Sequence, residues 1–179
     1  MNFWKTFFVT LAIYLGLNTV FVLISVYAVP TSPMYLTTDV WLIVTSIFMP
    51  IFVAPWDAWI HPSGIVGIMT SADLLGSLML FLGLVIPPVV AGIVAAKLGD
   101  SQMGAFSAWF FTALLTCVLF LLFLALGFSL QLSANLELLW LSYAVTYGEL
   151  GAIIAIFLSG IINGFFYGSF TLLLAKKWI

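Results

Sequence analysis

The sequence LLGSLMLFLGLVIPPVVAGIVAAK, residues 74–97, decides the fold because it carries no charge before its last residue. As a helix that rises ~1.5 Å per residue it reaches roughly 36 Å, which exceeds the hydrocarbon core of a bilayer. Asp73 precedes it as a helix-start residue, and a short polar turn with Asp100 and Ser101 follows it. The stretch therefore predicts a membrane-spanning helix that ends in a turn and leads straight into a second crossing.

The whole chain has the composition of an integral membrane protein. Of its 179 residues, 65% are hydrophobic, 17% aromatic and 6% charged, and the mean hydropathy is +1.31. No water-soluble core of this size could bury so much apolar surface. The 4 basic residues are all lysines, so a basic patch for nucleic acid is absent and a nucleic-acid partner is excluded. The expected partners are other membrane protein subunits and lipid, with a homo-oligomer as an alternative.

Four long apolar segments predict an all-α integral membrane protein with transmembrane helices at residues 7–29, 74–97, 103–130 and 150–175, in a single polytopic domain of residues 1–179. Pro50 and Pro55 interrupt residues 40–72, so we expect a re-entrant hairpin or a pair of interfacial helices there. Residues 133–147 predict an amphipathic helix on the same outer surface. Thr146 and Glu149 have the spacing of a capping box for the last span. In an alternative fold, residues 40–55 form a fifth span and the N-terminus lies outside.

The lysines predict the orientation in the cell membrane. With four spans, Lys5, Lys97, Lys176 and Lys177 fall on one face, and most of the 6 acidic residues fall on the other. The positive-inside rule then places both termini in the cytoplasm and residues 30–73 and 131–149 outside. A fifth span would place Lys5 outside instead.

Four polar residues are candidates for function. Asp57 and His61 are four residues apart, and such a pair could relay a proton or supply half of a metal site. Because the chain has 1 histidine, no metal centre can be completed from imidazoles, and we expect an interfacial turn. Asn18 and Asn163 lie within spans, where they line a pathway or hydrogen-bond across a helix interface.

Small residues and prolines indicate how the helices pack. Two sets at four-residue spacing predict close contact with another helix: Gly160, Gly164 and Gly168 in the last span, and Gly104 and Ala108 in the third. Pro87 and Pro88 predict a kink, which a channel could use as a gate. The 1 cysteine, Cys117, excludes an internal disulfide and is expected to be a small packing residue.

The sequence contains no arrangement that predicts catalysis by this chain alone or a cofactor, since it lacks paired carboxylates, a phosphate loop and a base near any serine within a span. The turn within residues 91–106 resembles one found in small prokaryotic and archaeal multi-span proteins, and this resemblance implies no function. Our first hypothesis is an accessory or structural subunit of a larger membrane complex. The alternative is a small-solute transport or substrate-capture module, in which the 40–72 hairpin and the proline kink form a site open to the outside.

Overall fold

The structure, a computed structural model, describes residues 2–30, 32, 34–48 and 72–178, and for residues 142, 143, 146, 147 and 176–178 it describes the backbone alone. Its helices are α1 Phe3–Tyr27, α2 Val40–Ser46, α3 Leu74–Leu98, α4 Gln102–Ser129, α5 Ala134–Tyr147 and α6 Glu149–Trp178. Four of them, α1, α3, α4 and α6, are long and apolar enough to cross a membrane. The all-helical class and the four predicted membrane-length helices are thereby confirmed, with ends that differ by a few residues.

Polar side chains define where five of these helices begin. Each accepts a hydrogen bond from a backbone N–H of the first turn, which would otherwise lack a partner. The capping residues are Asn2, Asp39, Asp73, Ser101 and Ser133. Because Asn2 accepts from the Trp4 backbone nitrogen at 3.3 Å, α1 begins earlier than the apolar run alone predicts.

The four long helices form a bundle in which α3 and α4 occupy the middle. α1 packs against α3 and α4, α6 packs against the same two helices, and α3 also contacts α4. α1 and α6 therefore lie at opposite corners. The two shorter helices cover one end, where α5 contacts α4 and α6, and α2 contacts α4 and α5.

The lysine positions lie together at one end of the bundle. The Thr6 hydroxyl donates to the Leu98 carbonyl oxygen at 3.2 Å, which places the start of α1 beside the end of α3. A cluster of buried alanines from α3, α4 and α6 lies at the same end: Ala96, Ala105 and Ala175. Lys5 and Lys97 are exposed there, and α6 continues through residues 176 and 177. We call this the lysine end of the bundle.

The helix at residues 133–147 is present as α5, but its surface differs from the predicted amphipathic one. Leu136 and Trp140 are buried against the bundle, whereas Leu138 and Val145 are exposed. Apolar side chains thus occupy both faces, and the outward face suits lipid better than water. The prediction was wrong on this point because the leucines of α5 outnumber the positions that the bundle can cover.

The predicted capping box before the last span is also absent. Thr146 lies inside α5, so it does not begin α6. Gly148 separates the two helices with φ +71, a backbone conformation that favours glycine. Its N–H donates to the Ala144 carbonyl at 2.8 Å and closes α5, and its own carbonyl accepts from Ala152 at 2.8 Å and opens α6.

Of the predicted outer hairpin at residues 40–72, the structure describes α2, residues 47 and 48 and residue 72. Pro50 and Pro55 lie outside the described residues, so the hairpin and the alternative fifth span stay predictions. Phe48, just beyond α2, stacks on Phe123 of α4 with ring centroids 5.3 Å apart. The end of α2 is thereby held against a membrane-length helix.

Candidate functional site

The two ionisable candidates, Asp57 and His61, lie outside the described residues. The proton-relay and metal hypotheses for this pair, and the interfacial turn that we expect instead, therefore stay predictions. The structure does describe the remaining candidates, and it places most of them in the interior of the bundle.

The centre of the bundle is filled by three aromatic side chains from three helices. Trp109 of α4 and Tyr14 of α1 are fully buried, and Tyr167 of α6 is 9% exposed. Tyr14 and Tyr167 each meet the indole edge to face, with ring centroids 5.5 Å and 5.9 Å away. The indole N–H makes a long contact of 3.5 Å with the backbone carbonyl of Asn163, which is itself buried. These side chains belong to one continuous buried core of the bundle.

Sequence reasoning missed the aromatic stack, although a signal for it exists. Tryptophan in membrane proteins is enriched at the membrane–water interfaces, whereas Trp109 lies well inside α4 among small residues. Ala105, Ala108 and Thr112 surround it in sequence, and all three are fully buried. A tryptophan flanked by small residues within a span therefore indicates a side chain that fills the bundle.

The glycine stripe of the last span lies against α4. A methyl group at Gly160 would stand 2.8 Å from Cys117, one at Gly164 would stand 2.8 Å from Phe110, and one at Gly168 would stand 2.7 Å from Phe106. The Cys117 thiol donates to the Ile156 carbonyl at 3.2 Å across the same interface. This close contact is made within the chain, so the stripe is not available to a partner.

The two residues of the second small-residue pair, Gly104 and Ala108, have different surroundings in the structure. Ala108 is fully buried within the bundle. Gly104 instead lies in the first turn of α4, where a methyl group would stand 2.6 Å from an Asp100 carboxylate oxygen. Gly104 therefore serves the turn, and it does not continue the helix-packing stripe.

Pro87 and Pro88 lie inside the continuous helix α3, and both are buried. Pro87 cannot donate to the carbonyl of Gly83, four residues earlier. A methyl group at Gly83 would stand 3.2 Å from Phe21 of α1. The proline pair is thus packed into the bundle directly after a close contact between α3 and α1.

Asn18 joins α1 to the end of α2. Its side-chain nitrogen donates to the Ile47 carbonyl at 2.9 Å, and the residue is fully buried. Of the two roles that the sequence left open, the structure shows the helix-bridging one for this nitrogen. The Asn18 side-chain oxygen has no hydrogen-bond partner among the described residues.

Asp39 forms a polar clasp between the two short helices, which the sequence did not predict. One carboxylate oxygen caps α2 by accepting from Leu42 at 3.0 Å. The other accepts from the hydroxyl of Ser133, which caps α5, and from the Asn135 side-chain nitrogen at 2.8 Å. Partial burial raises the pKa of the Asp39 carboxyl, but the hydrogen bonds from Ser133, Asn135 and the backbone outweigh it, so the pKa is lowered.

The described residues offer no metal centre, because no three His, Cys, Asp or Glu side chains among them lie close enough to hold an ion. Comparison with protein-family models, curated proteins and solved structures finds no match. The function must therefore be argued from the packing and polarity of this chain.

Proposed function

We propose that this protein is an accessory or structural subunit of a larger membrane complex, inserted with its lysine end in the cytoplasm. The observation that carries the proposal is Gly16 on the outward face of α1. Gly16 is exposed, and none of the residues that the structure describes lies within 4 Å of where its side chain would begin. Ala12, one turn earlier on α1, is exposed as well.

A glycine inside a helix costs about 1 kcal/mol relative to alanine, so it calls for a compensating contact. Other glycines in the spans do have a compensating contact, since Gly83 lies against Phe21 and Gly160 lies against Cys117. In membranes, paired small residues let the backbones of two helices approach closely. The open Ala12 and Gly16 pair therefore supports a helix from another chain against α1.

The filled interior supports a structural role. Trp109, Tyr14 and Phe120 are all fully buried in the core shared by the long helices. Close-packed interiors are stiff, because each side chain is held by its neighbours. A stiff bundle with small residues exposed on one helix suits a subunit that positions other subunits.

Gly16→Leu tests this proposal directly. The substitution adds a side chain outside the bundle, so the purified variant is expected to melt at the parent's temperature or slightly above it. Ala125→Leu is the matched control, since Ala125 is exposed on α4. The tagged proteins are purified from their native membrane in a mild detergent, and the co-purifying subunits are quantified by mass spectrometry.

We expect the parent and Ala125→Leu to retain the same partner subunits and Gly16→Leu to lose most of them. Retention of all partners by Gly16→Leu would refute α1 as the contact face. A parent chain that purifies without other subunits would refute the accessory role. If a second, differently tagged copy of the chain is the partner recovered, the homo-oligomer alternative holds.

A second candidate function, small-solute transport or substrate capture, is favoured by one observation. Tyr14, Asn18 and Thr45 are fully buried, and each has a polar side-chain atom without a hydrogen-bond partner among the described residues. A few polar groups in an otherwise apolar interior are typical of ligand sites. Native mass spectrometry of the purified chain tests this function, since a retained solute would add a fixed mass.

A further inference from the structure

The outward face of α5 carries an apolar stripe along its whole length. Leu138 and Val145 are 64% and 83% exposed, and Leu141 is exposed between them. Ala134, the first residue of the helix, is exposed as well. Because an α-helix makes one turn in 3.6 residues, positions 134, 138, 141 and 145 lie on one side of it. Apolar side chains that adjoin one another on a surface mark a site of contact with a partner or with a membrane.

The bundle already occupies the opposite face of α5. Leu136 and Trp140 are buried on that face. Leu136 lies against Gly127 of α4, and the Trp140 ring lies against Phe128 with centroids 6.2 Å apart. α5 therefore has two apolar faces, and its contacts with the bundle explain one of them.

The outward stripe continues onto a helix that is long enough to cross a membrane. Gly148 alone separates α5 from α6. The first turns of α6 expose Leu150, Ile153 and Ile154, and exposed apolar side chains of this kind on a membrane-length helix contact lipid. Lipid around the start of α6 therefore borders α5 as well, so the two apolar surfaces share one environment.

The length of α5 and its polar ends indicate how it lies. With 14 residues it reaches ~21 Å, which is too short to cross a hydrocarbon core of ~30 Å. Near its start, the Asn135 side-chain nitrogen donates to the Asp39 carboxylate at 2.8 Å. Beyond its end, Glu149 is exposed. Polar groups at both ends and apolar side chains between them are typical of a helix in the plane of the membrane, at the boundary between headgroups and acyl chains.

We propose that α5 is an intramembrane helix that does not cross the bilayer, and that lipid acyl chains cover its outward stripe. Since α5 joins the end of α4 to the start of α6, this contact lies at the end of the bundle opposite the lysine end. The clasp at Asp39 then lies at the depth of the headgroups. The proposal is independent of the accessory-subunit function, because the Gly16 surface belongs to α1.

Spin labels on α5 test this placement. Cys117→Ala removes the 1 native thiol, and Leu138→Cys or Val145→Cys then carries a nitroxide at an exposed position. The labelled chain is placed in nanodiscs of phosphatidylcholine. EPR measures collisions of the nitroxide with oxygen, which concentrates in hydrocarbon, and with a nickel chelate, which stays in water. Leu158→Cys on the exposed surface of α6 is the lipid control, and Lys97→Cys is the water control.

We expect both α5 labels to resemble the Leu158 label, with frequent oxygen collisions and several-fold fewer nickel collisions than at Lys97. Nickel collisions as frequent as those at Lys97 would overturn the proposal, because the outward face of α5 would then lie in water. Few collisions with either reagent would also overturn it and would assign the stripe to a protein partner. Because positions 138 and 145 are exposed, both labelled variants are expected to melt at the midpoint of Cys117→Ala.

Discussion

A single methyl group at residue 160 tests how tightly α4 and α6 pack. In the structure this methyl carbon would stand 2.8 Å from both the Cβ and the Sγ atom of Cys117, whereas ordinary contact begins at 3.4 Å. Because the Cys117 Cβ atom is bonded to the main chain, α4 itself must move to make room. Overpacking of this kind costs about 1–3 kcal/mol. Gly160→Ala is therefore expected to destabilise the protein even though alanine favours helices.

Gly16→Ala supplies the matched control. Both substitutions replace a helical glycine, so each gains about 1 kcal/mol of helix propensity. At residue 16, however, no atom of the described part of the chain lies within 4 Å of the added carbon. The difference between the two variants isolates the packing cost. We expect Gly160→Ala to melt roughly 2–12 °C below Gly16→Ala, which is about 1–3 kcal/mol for a chain of this length.

The chain carries its own reporter for this measurement. Cys117 is the 1 cysteine of the sequence, and it is fully buried at the interface under test. A thiol-reactive dye added to the detergent-solubilised protein during heating therefore follows the separation of α4 from α6. Equal midpoints for the two variants, or a higher midpoint for Gly160→Ala, would refute the tight contact.

A larger residue at position 164 extends the same test. A methyl group there would stand 2.8 Å from Phe110, whose ring is packed against Phe106 and Phe165 at 5.7 Å and 5.1 Å. Gly164→Leu is expected to lower the midpoint by more than Gly160→Ala, because the added side chain has several atoms to accommodate. If it assembled and melted like the parent, the stripe would not be a close-packed interface.

Three further predictions concern the polar residues and the orientation. The lowered pKa of Asp39 implies a stabilising contribution that is complete above the unfolded value of about 3.9 and is lost as the pH falls through the folded pKa. Between pH 7 and pH 3, the melting temperature of the parent should therefore fall further than that of Asp39→Asn. Equal falls in melting temperature would contradict the clasp. A cysteine placed at Asp57 should react with a membrane-impermeant reagent added from outside, whereas one placed at Lys97 should not, and the reverse pattern would invert the topology. Exchange of Asp57 and His61 for alanine should leave the activity of the parent complex within a few-fold, and a loss of turnover with intact assembly would show a working site in the outer segment.

Much of the fold could be predicted from the sequence because membrane insertion depends on local properties. A span requires only a sufficient run of apolar residues between polar ends, and residues 74–97 meet this condition without reference to any other part of the chain. The starts at Asp39, Asp73 and Ser101 could be predicted for the same reason, since a capping side chain bonds to its own first turn.

The candidate sites were less predictable because the role of each residue depends on which side chain of another helix lies against it. Gly160 and Gly16 are both glycines within spans, yet Gly160 contacts Cys117, whereas Gly16 contacts no side chain among the residues that the structure describes. Likewise, Thr112 and Thr45 are both buried threonines in helices, and only Thr112 bonds back to its own helix. No local pattern separates the members of either pair.

By itself, therefore, the sequence determined that the protein is helical, that four segments are long enough to cross a membrane and that polar residues begin two of them, α3 and α4. Only the tertiary structure decided that Tyr14 and Tyr167 close on Trp109, that Asn18 holds the end of α2, and that Gly16 faces outward while the last-span stripe faces inward. The physical reason is that the apolar surroundings of a membrane determine where a helix forms but not which of its faces packs against another helix. Those faces are chosen by close packing between helices and by hydrogen bonds between residues far apart in the chain.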